Sequence, residues 1–272
     1  MRSRAWLLAL VCGAHGAASA QETPSAPAPG KTLSFIACPV YRDTDAGRKS
    51  GCWLADGPSR GWPQDITYGQ VKPQVGRAVL VEGVTTSEAT DPAAACGGTV
   101  LTPVRIAVLP ETCARTIIPP EGHPGRPYKS PPEQLKPLSE PRTLPPPPYD
   151  PRTFTIYFEH GRDFLIYQYA EVIIEKIVLY AKASQAKQVT IEGFAATDPW
   201  TLPSTRGPWT VREPQRLAQK RAEMVAEALR RLGVPETTMR VSWQNTTSAD
   251  PTLEAGRLPE ASKRRVVINV VP

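Results

Sequence analysis

From residue 154 onward the apolar positions switch between two periods. Phe154-Thr155-Ile156-Tyr157-Phe158 is rich in aromatic and β-branched residues and reads as a strand. Over residues 164–183, Tyr169, Val172, Ile173, Ile177 and Tyr180 recur at three- and four-residue steps, the period of a helix. Residues 189–193 read as a second strand. A second helix is expected over 214–232, with Leu217, Met224, Val225, Ala228 and Leu232 on its apolar stripe. Gly233 stops it, and Pro235 follows. Residues 239–243 and 265–271 complete the set as strands. The order β-α-β-α-β-β over residues 152–272 predicts an α+β domain, a mixed sheet with helices packed on it.

Residues 31–118 show a different pattern. Short strand-like runs at 32–37, 52–55, 65–68, 78–82 and 100–108 are separated by turn signals at Asp56-Gly57-Pro58, Gly76 and Gly97-Gly98. This predicts a small all-β domain, and its progression of strands resembles small OB-like barrels. Residues 119–151 are crowded with proline and end in Pro145-Pro146-Pro147-Pro148. Proline fixes φ and offers no N–H to a sheet, so the stretch is expected to be an extended linker able to reach on the order of 100 Å. A ligand for an SH3-type reader is the alternative reading. Residues 21–30 read as a flexible polar tail.

The N-terminus carries Arg2 and Arg4, an apolar run and Ala18-Ser19-Ala20, so residues 1–20 are expected to be a secretory signal peptide. Cys12 makes a poor lipobox, and no lipid anchor is expected. No later segment is apolar for long enough to span a bilayer, so no integral membrane protein is expected. The formal charge of +6 falls to about +4 without Arg2 and Arg4, too little and too scattered for a nucleic-acid footprint. Cys38, Cys52, Cys96 and Cys113 remain after the leader, an even number in an exported chain, which points to two disulfides. Cys38–Cys52 with Cys96–Cys113 is the expected pairing, because each closes a short local loop. A zinc site would need closer pairs and more histidine. Asp43-Thr44-Asp45-Ala46-Gly47 opens like a calcium loop, but Arg48 and Lys49 follow where oxygen ligands would be needed, so a plain turn is expected. His15, His123 and His160 fall in the leader, the linker and a turn, with no nucleophile motif beside them. No enzyme and no cofactor are expected.

Five blocks in order carry a family resemblance: residues 154–158 with Glu159-His160-Gly161; residues 189–193 with Thr197-Asp198; Leu217-Ala218-Gln219-Lys220-Arg221-Ala222-Glu223-Met224-Val225; Leu229-Arg230-Arg231-Leu232-Gly233-Val234-Pro235; and Lys263-Arg264-Arg265-Val266. Together they resemble the OmpA-like family over about 120 residues. The resemblance implies docking on peptidoglycan through the diaminopimelate of its stem peptide. Asp198 would take the ammonium group and Arg221 the carboxylate, which suits the planar fork of a guanidinium. Arg264 and Arg265 fall in the block where the family has its final arginines, and either is a candidate for ligand contact. The sequence departs from the family at Phe194-Ala195-Ala196 before Thr197-Asp198, at Pro214, at Lys263 and in the longer stretch 199–213 with Trp200 and Trp209.

Each candidate also has a plainer reading. Asp198 before Pro199 fits a turn, Arg221 a solvated helix charge, and Arg264 and Arg265 a solvated strand end. Trp200 and Trp209 fit either sugar stacking or a loop pinned to its own domain. The expectation is a periplasmic cell-envelope protein, associated with the cell wall or outer membrane. Its C-terminal domain would dock on peptidoglycan while the N-terminal domain meets another envelope protein. The alternative is a structural or interaction protein that keeps the fold and has lost peptidoglycan binding.

Overall fold

The structure, a computed structural model, describes residues 28–45, 51–57, 63–86, 95–126, 140–166, 169–245, 248–250, 252 and 255–272. The expected leader, most of the tail, part of the turn at 43–47 and residues 127–139 of the linker lie outside the described residues.

The N-terminal unit is a seven-stranded sheet. Its strands are β1 (Thr32–Ala37), β2 (Val40–Arg42), β3 (Cys52–Asp56), β4 (Pro63–Asp65), β5 (Arg77–Thr85), β6 (Thr99–Thr112) and β7 (Thr116–Ile118). The spatial order is β1-β5-β6-β4-β3-β2-β7. β1 and β7 are its two ends, and no ladder joins them among the described residues, so the sheet is open where an OB-like barrel would close. Alternation along β1 buries Leu33, Phe35 and Ala37 against Ile66, Val81 and Ile106.

The disulfides differ from the expected pairing. Cys38 joins Cys113 and Cys52 joins Cys96, with Cα–Cα distances of 5.6 and 5.7 Å. Strand geometry explains the difference. β6 runs for 14 residues between Cys96 and Cys113, and at about 3.3 Å per residue it holds them on the order of 45 Å apart. The β2–β3 register sets Val40 opposite Leu54 and Arg42 opposite Cys52. Extending it places Cys38 opposite Asp56, roughly 13 Å along the strand from Cys52. Both short-loop bonds are out of reach. All four cysteines among the described residues are consumed, which leaves none of them for a metal.

The C-terminal unit contains β8 (Arg152–Tyr157), α1 (Tyr169–Ala183), β9 (Gln188–Phe194), a hairpin of β10 (Trp200–Leu202) and β11 (Trp209–Val211), α2 (Leu217–Arg231), β12 (Met239–Gln244), the short α3 (Pro259–Ser262) and β13 (Arg265–Val271). Its main sheet has the order β12-β9-β13-β8. β9 and β12 are parallel, and β13 runs antiparallel to β9 and β8. The mixed sheet with packed helices is therefore as expected. Ile177 of α1 and Val225 of α2 meet Val189, Ile191 and Ile268 of the sheet in one core. Gly193 permits this approach: a Cβ there would lie 2.2 Å from the Ala218 carbonyl oxygen of α2. The LRRLGVP block ends α2 with a Schellman motif. Val234 N donates to Leu229 O and Gly233 N to Arg230 O, with Gly233 at φ +94. Leu229 and Val234 both join the core.

The two units pack directly on one another instead of standing apart on a spacer. The β10–β11 hairpin, absent from the expected elements, lays Leu202 and Val211 against Ile36, Leu80 and Leu109 of the N-terminal sheet. It also meets the free edge of β1, where Ile36 N donates to Pro203 O at 3.0 Å. A parallel bridge pairs Ile36 with Ser204.

Candidate functional site

The family's candidate residues lie where this packing is tightest. Arg221 occupies the face of α2 that turns toward the start of the chain's C-terminal unit, and its side chain is 0% exposed. Its five N–H groups all have acceptors. Nε donates to Arg162 O at 2.9 Å, Nη1 to Phe194 O at 3.0 Å and Glu213 Oε2 at 2.8 Å, and Nη2 to Glu159 O at 3.2 Å and Glu213 Oε1 at 2.6 Å. The reading of Arg221 as a solvated helix charge is thereby corrected: Arg221 is enclosed, and its fork already holds a carboxylate in the bidentate geometry.

Glu213 belongs to the same cradle. It lies two residues past the end of β11, and Pro214 then opens the approach to α2. Besides the Arg221 fork, its Oε1 accepts from Gly161 N and its Oε2 from Ala196 N, both at 2.8 Å. Two backbone amides and a guanidinium thus form a receptor for a carboxylate, and the chain's own glutamate fills it. Burial alone would raise the Glu213 pKa, but the Arg221 charge and hydrogen bonds hold it below the ordinary carboxylate value.

Arg264 is handled in the same way by the other unit. It is fully buried, and its Nη2 pairs with Glu82 Oε2 of β5. Its Nε also donates to Phe158 O at 3.4 Å and its Nη1 to Glu260 O at 3.2 Å. Burial would lower its pKa, but Glu82, Glu213 and Glu159 raise it. Arg105 of β6 sits opposite Glu82 in the sheet and reaches Glu159 Oε1 at 3.2 Å. Glu159 is buried, its Oε2 has no hydrogen-bond partner among the described residues, and burial pushes its pKa up against the pull of Arg105 and Arg264. Three arginines and three glutamates therefore balance at the seam, with the Arg105–Glu159 and Arg264–Glu82 pairs crossing it. His160 lies beside them, Nδ1 4.0 Å from Glu213 Oε1, its pKa lowered to about 4 by burial and by Arg264.

The remaining candidates stand outside this network. Arg265 is half-buried, stacks over Phe194 at 4.7 Å and donates to Ser262 O at 2.7 Å. Asp198 is exposed and lines a cavity of about 70 Å³ with Trp200, Glu260 and Lys263. Asp198 and Arg221 thus have different surroundings, one facing solvent and one enclosed. Sequence reasoning missed Glu213, Glu82, Glu159 and Arg105. One signal was available: Glu82 interrupts the apolar run Val79-Leu80-Val81-Glu82-Gly83-Val84, and an acid inside such a strand needs a buried partner.

The C-terminal unit is thus an α+β domain whose helices pack on a mixed sheet and whose α2 arginine is built to hold a carboxylate. Residues 157–263 match the model of the OmpA family. Asp198 and Arg221 fall inside the match, and Arg264 and Arg265 directly follow it. Similar solved structures include the OmpA-like domain of FopA1 from Francisella tularensis subsp. tularensis SCHU S4, 19% identical over 45% of this chain and 73% of that one, TM-score 0.35. Others are the periplasmic domain of Helicobacter pylori MotB, 22% identical over 45% and 74%, TM-score 0.33, and the peptidoglycan-associated lipoprotein from Burkholderia pseudomallei, 23% identical over 43% and 87%, TM-score 0.29. A comparison with curated proteins found no match. Among the described residues no helix is long and apolar enough to cross a membrane.

Proposed function

We propose that the protein is a non-enzymatic, periplasmic interaction protein of the cell envelope. In this reading the arginines with which relatives of the fold would hold peptidoglycan are occupied from within the chain, Arg221 by Glu213 of the same unit and Arg264 by Glu82 of the N-terminal unit. The carrying observation is the Glu213 carboxylate in the fork of Arg221, with every N–H of that guanidinium satisfied. A free diaminopimelate carboxylate would have to displace an internal one that is already desolvated and tethered, so it competes at a large disadvantage in effective concentration. Arg264, tied to Glu82, is withdrawn in the same way. Titration calorimetry with free diaminopimelate tests the reading. The wild-type chain should show no binding, and Glu213→Ala, which empties the cradle, should gain it. Wild-type binding that is lost in Asp198→Ala would overturn the proposal.

A second reading is non-covalent docking on peptidoglycan through diaminopimelate, with Asp198 taking the ammonium. The exposure of Asp198 at the small cavity beside Lys263 favours it. It requires Glu213 to leave Arg221.

A further inference from the structure

A cavity of about 700 Å³ opens along the seam between the two units, on the solvent side of the buried network. The N-terminal sheet contributes Arg77, Val108 and Leu109, and the C-terminal unit contributes His160, Arg162, Trp209 and Arg212. The contrast with the network behind it is chemical. There each of Arg105, Arg221 and Arg264 meets a glutamate. In the groove Arg77 donates to Pro110 O and Arg162 to Val108 O, and Arg212 is exposed. None of these three meets a carboxylate among the described residues, and Glu111 is the one acid that lines the groove.

Carbonyl contacts orient Arg77 and Arg162 without neutralising them, so the groove presents fixed and uncompensated positive charge. Trp209 is half-buried: one part packs into the core shared by the units, and the indole also lines the cavity. An aromatic face held in this way suits the apolar face of a sugar ring. The volume is that of a small-ligand site.

We infer that this groove is a binding site for an acidic saccharide, with Trp209 stacking on a ring and Arg77, Arg162 and Arg212 taking its carboxylate or phosphate groups. Arg212 carries the most weight, because among the described residues no protein acceptor competes for it. His160, neutral at physiological pH, is placed to exchange a hydrogen bond with a sugar hydroxyl. The carboxylate of a muramyl sugar and the phosphate of a lipopolysaccharide core sugar share this chemistry. The site stands whether or not Arg221 is open, because it uses neither Glu213 nor Arg221.

The test is titration calorimetry of the full mature chain with three peptide-free probes: the N-acetylglucosaminyl-N-acetylmuramic acid disaccharide, glucosamine 1-phosphate and neutral chitobiose. At least one acidic probe should bind, and chitobiose should bind about tenfold more weakly or not at all. Arg212→Ala and Trp209→Ala should each weaken the acidic probe by about tenfold or more, and added salt should weaken it further. The better acidic probe identifies the source. Arg212 is exposed, so its variant reports binding even if Trp209→Ala disturbs the shared core. Equal binding of chitobiose, unchanged affinity in Arg212→Ala, or no acidic probe bound at millimolar concentration would each overturn the assignment. Diaminopimelate carries no sugar, so success or failure here is separable from the outcome at Arg221.

Discussion

The two units solve the problem of stability differently. The N-terminal sheet buries a core of ten residues and closes it with two disulfides. The C-terminal domain has no cysteine and relies on a seventeen-residue core between sheet and helices. A smaller core needs covalent help, since each cross-link removes freedom from the unfolded chain, more so for the long loops of 75 and 44 residues seen here. Between them lies a third mode, a balanced set of buried charges. Such a set adds little net stability over an apolar replacement, but it penalises any arrangement in which one member loses its partner. The difference therefore separates what makes each unit stable from what fixes how they fit together.

The largest expected effect comes from the pair of that set that lies inside the C-terminal unit, Arg221 with Glu213. Arg221→Ala should cost about 3–5 kcal/mol, because it leaves Glu213 buried and unpaired. The double variant Arg221→Met with Glu213→Leu should recover much of that loss. Chemical denaturation of both variants measures it, and a cost for Arg221→Ala below about 1 kcal/mol would show that Glu213 does not depend on this partner. A second effect tests the covalent mode: Cys52→Ser with Cys96→Ser should cost roughly 2–5 kcal/mol. Non-reducing peptide mapping of the wild type should yield Cys38–Cys113 and Cys52–Cys96, and any Cys38–Cys52 peptide would refute the strand-reach argument.

The smallest expected effect is pH dependence. His160 titrates near 4 in the folded chain and near 6.5 when unfolded, so on acidification the unfolded chain takes the proton first. Stability is intact above about pH 6.5 and falls by up to ~3 kcal/mol toward pH 4. Glu213, held low by Arg221, adds a further loss as pH drops below its unfolded value; Glu159, pushed up by burial, has the opposite sign and offsets part of it. Denaturation midpoints at pH 7 and 4.5 should converge in His160→Gln. A slope unchanged in that variant would assign it to other groups.

Much of the fold was legible because long periodic segments declare themselves. β1 and β13 have the bounds expected from alternation, and α2 ends where Gly233 and Pro235 stop it. Three-residue strands did not show. β2, β7, β10 and β11 are too short for a period to emerge, and Pro203, Gly207 and Pro208 make the hairpin look like a loop. The disulfides were misread because loop length is local, whereas reach depends on which strands pair. Arg221 was legible as a residue that holds a carboxylate. That the carboxylate would be Glu213 was not, because an acid before a helix reads equally well as complementing the helix dipole.

The contact between Pro203 and Ile36 also bears on the order of events in synthesis. An unpaired strand edge can template pairing with another molecule, and β1 is made some 170 residues before the segment that covers it. Until residues 203–264 have arrived and docked, the first unit has an open edge and lacks the partner of Glu82. A chain truncated before that point, or stalled during synthesis, would carry both liabilities at once. In the folded molecule the segment before the hairpin turn occupies that edge at Ile36, which takes this position out of reach of another copy.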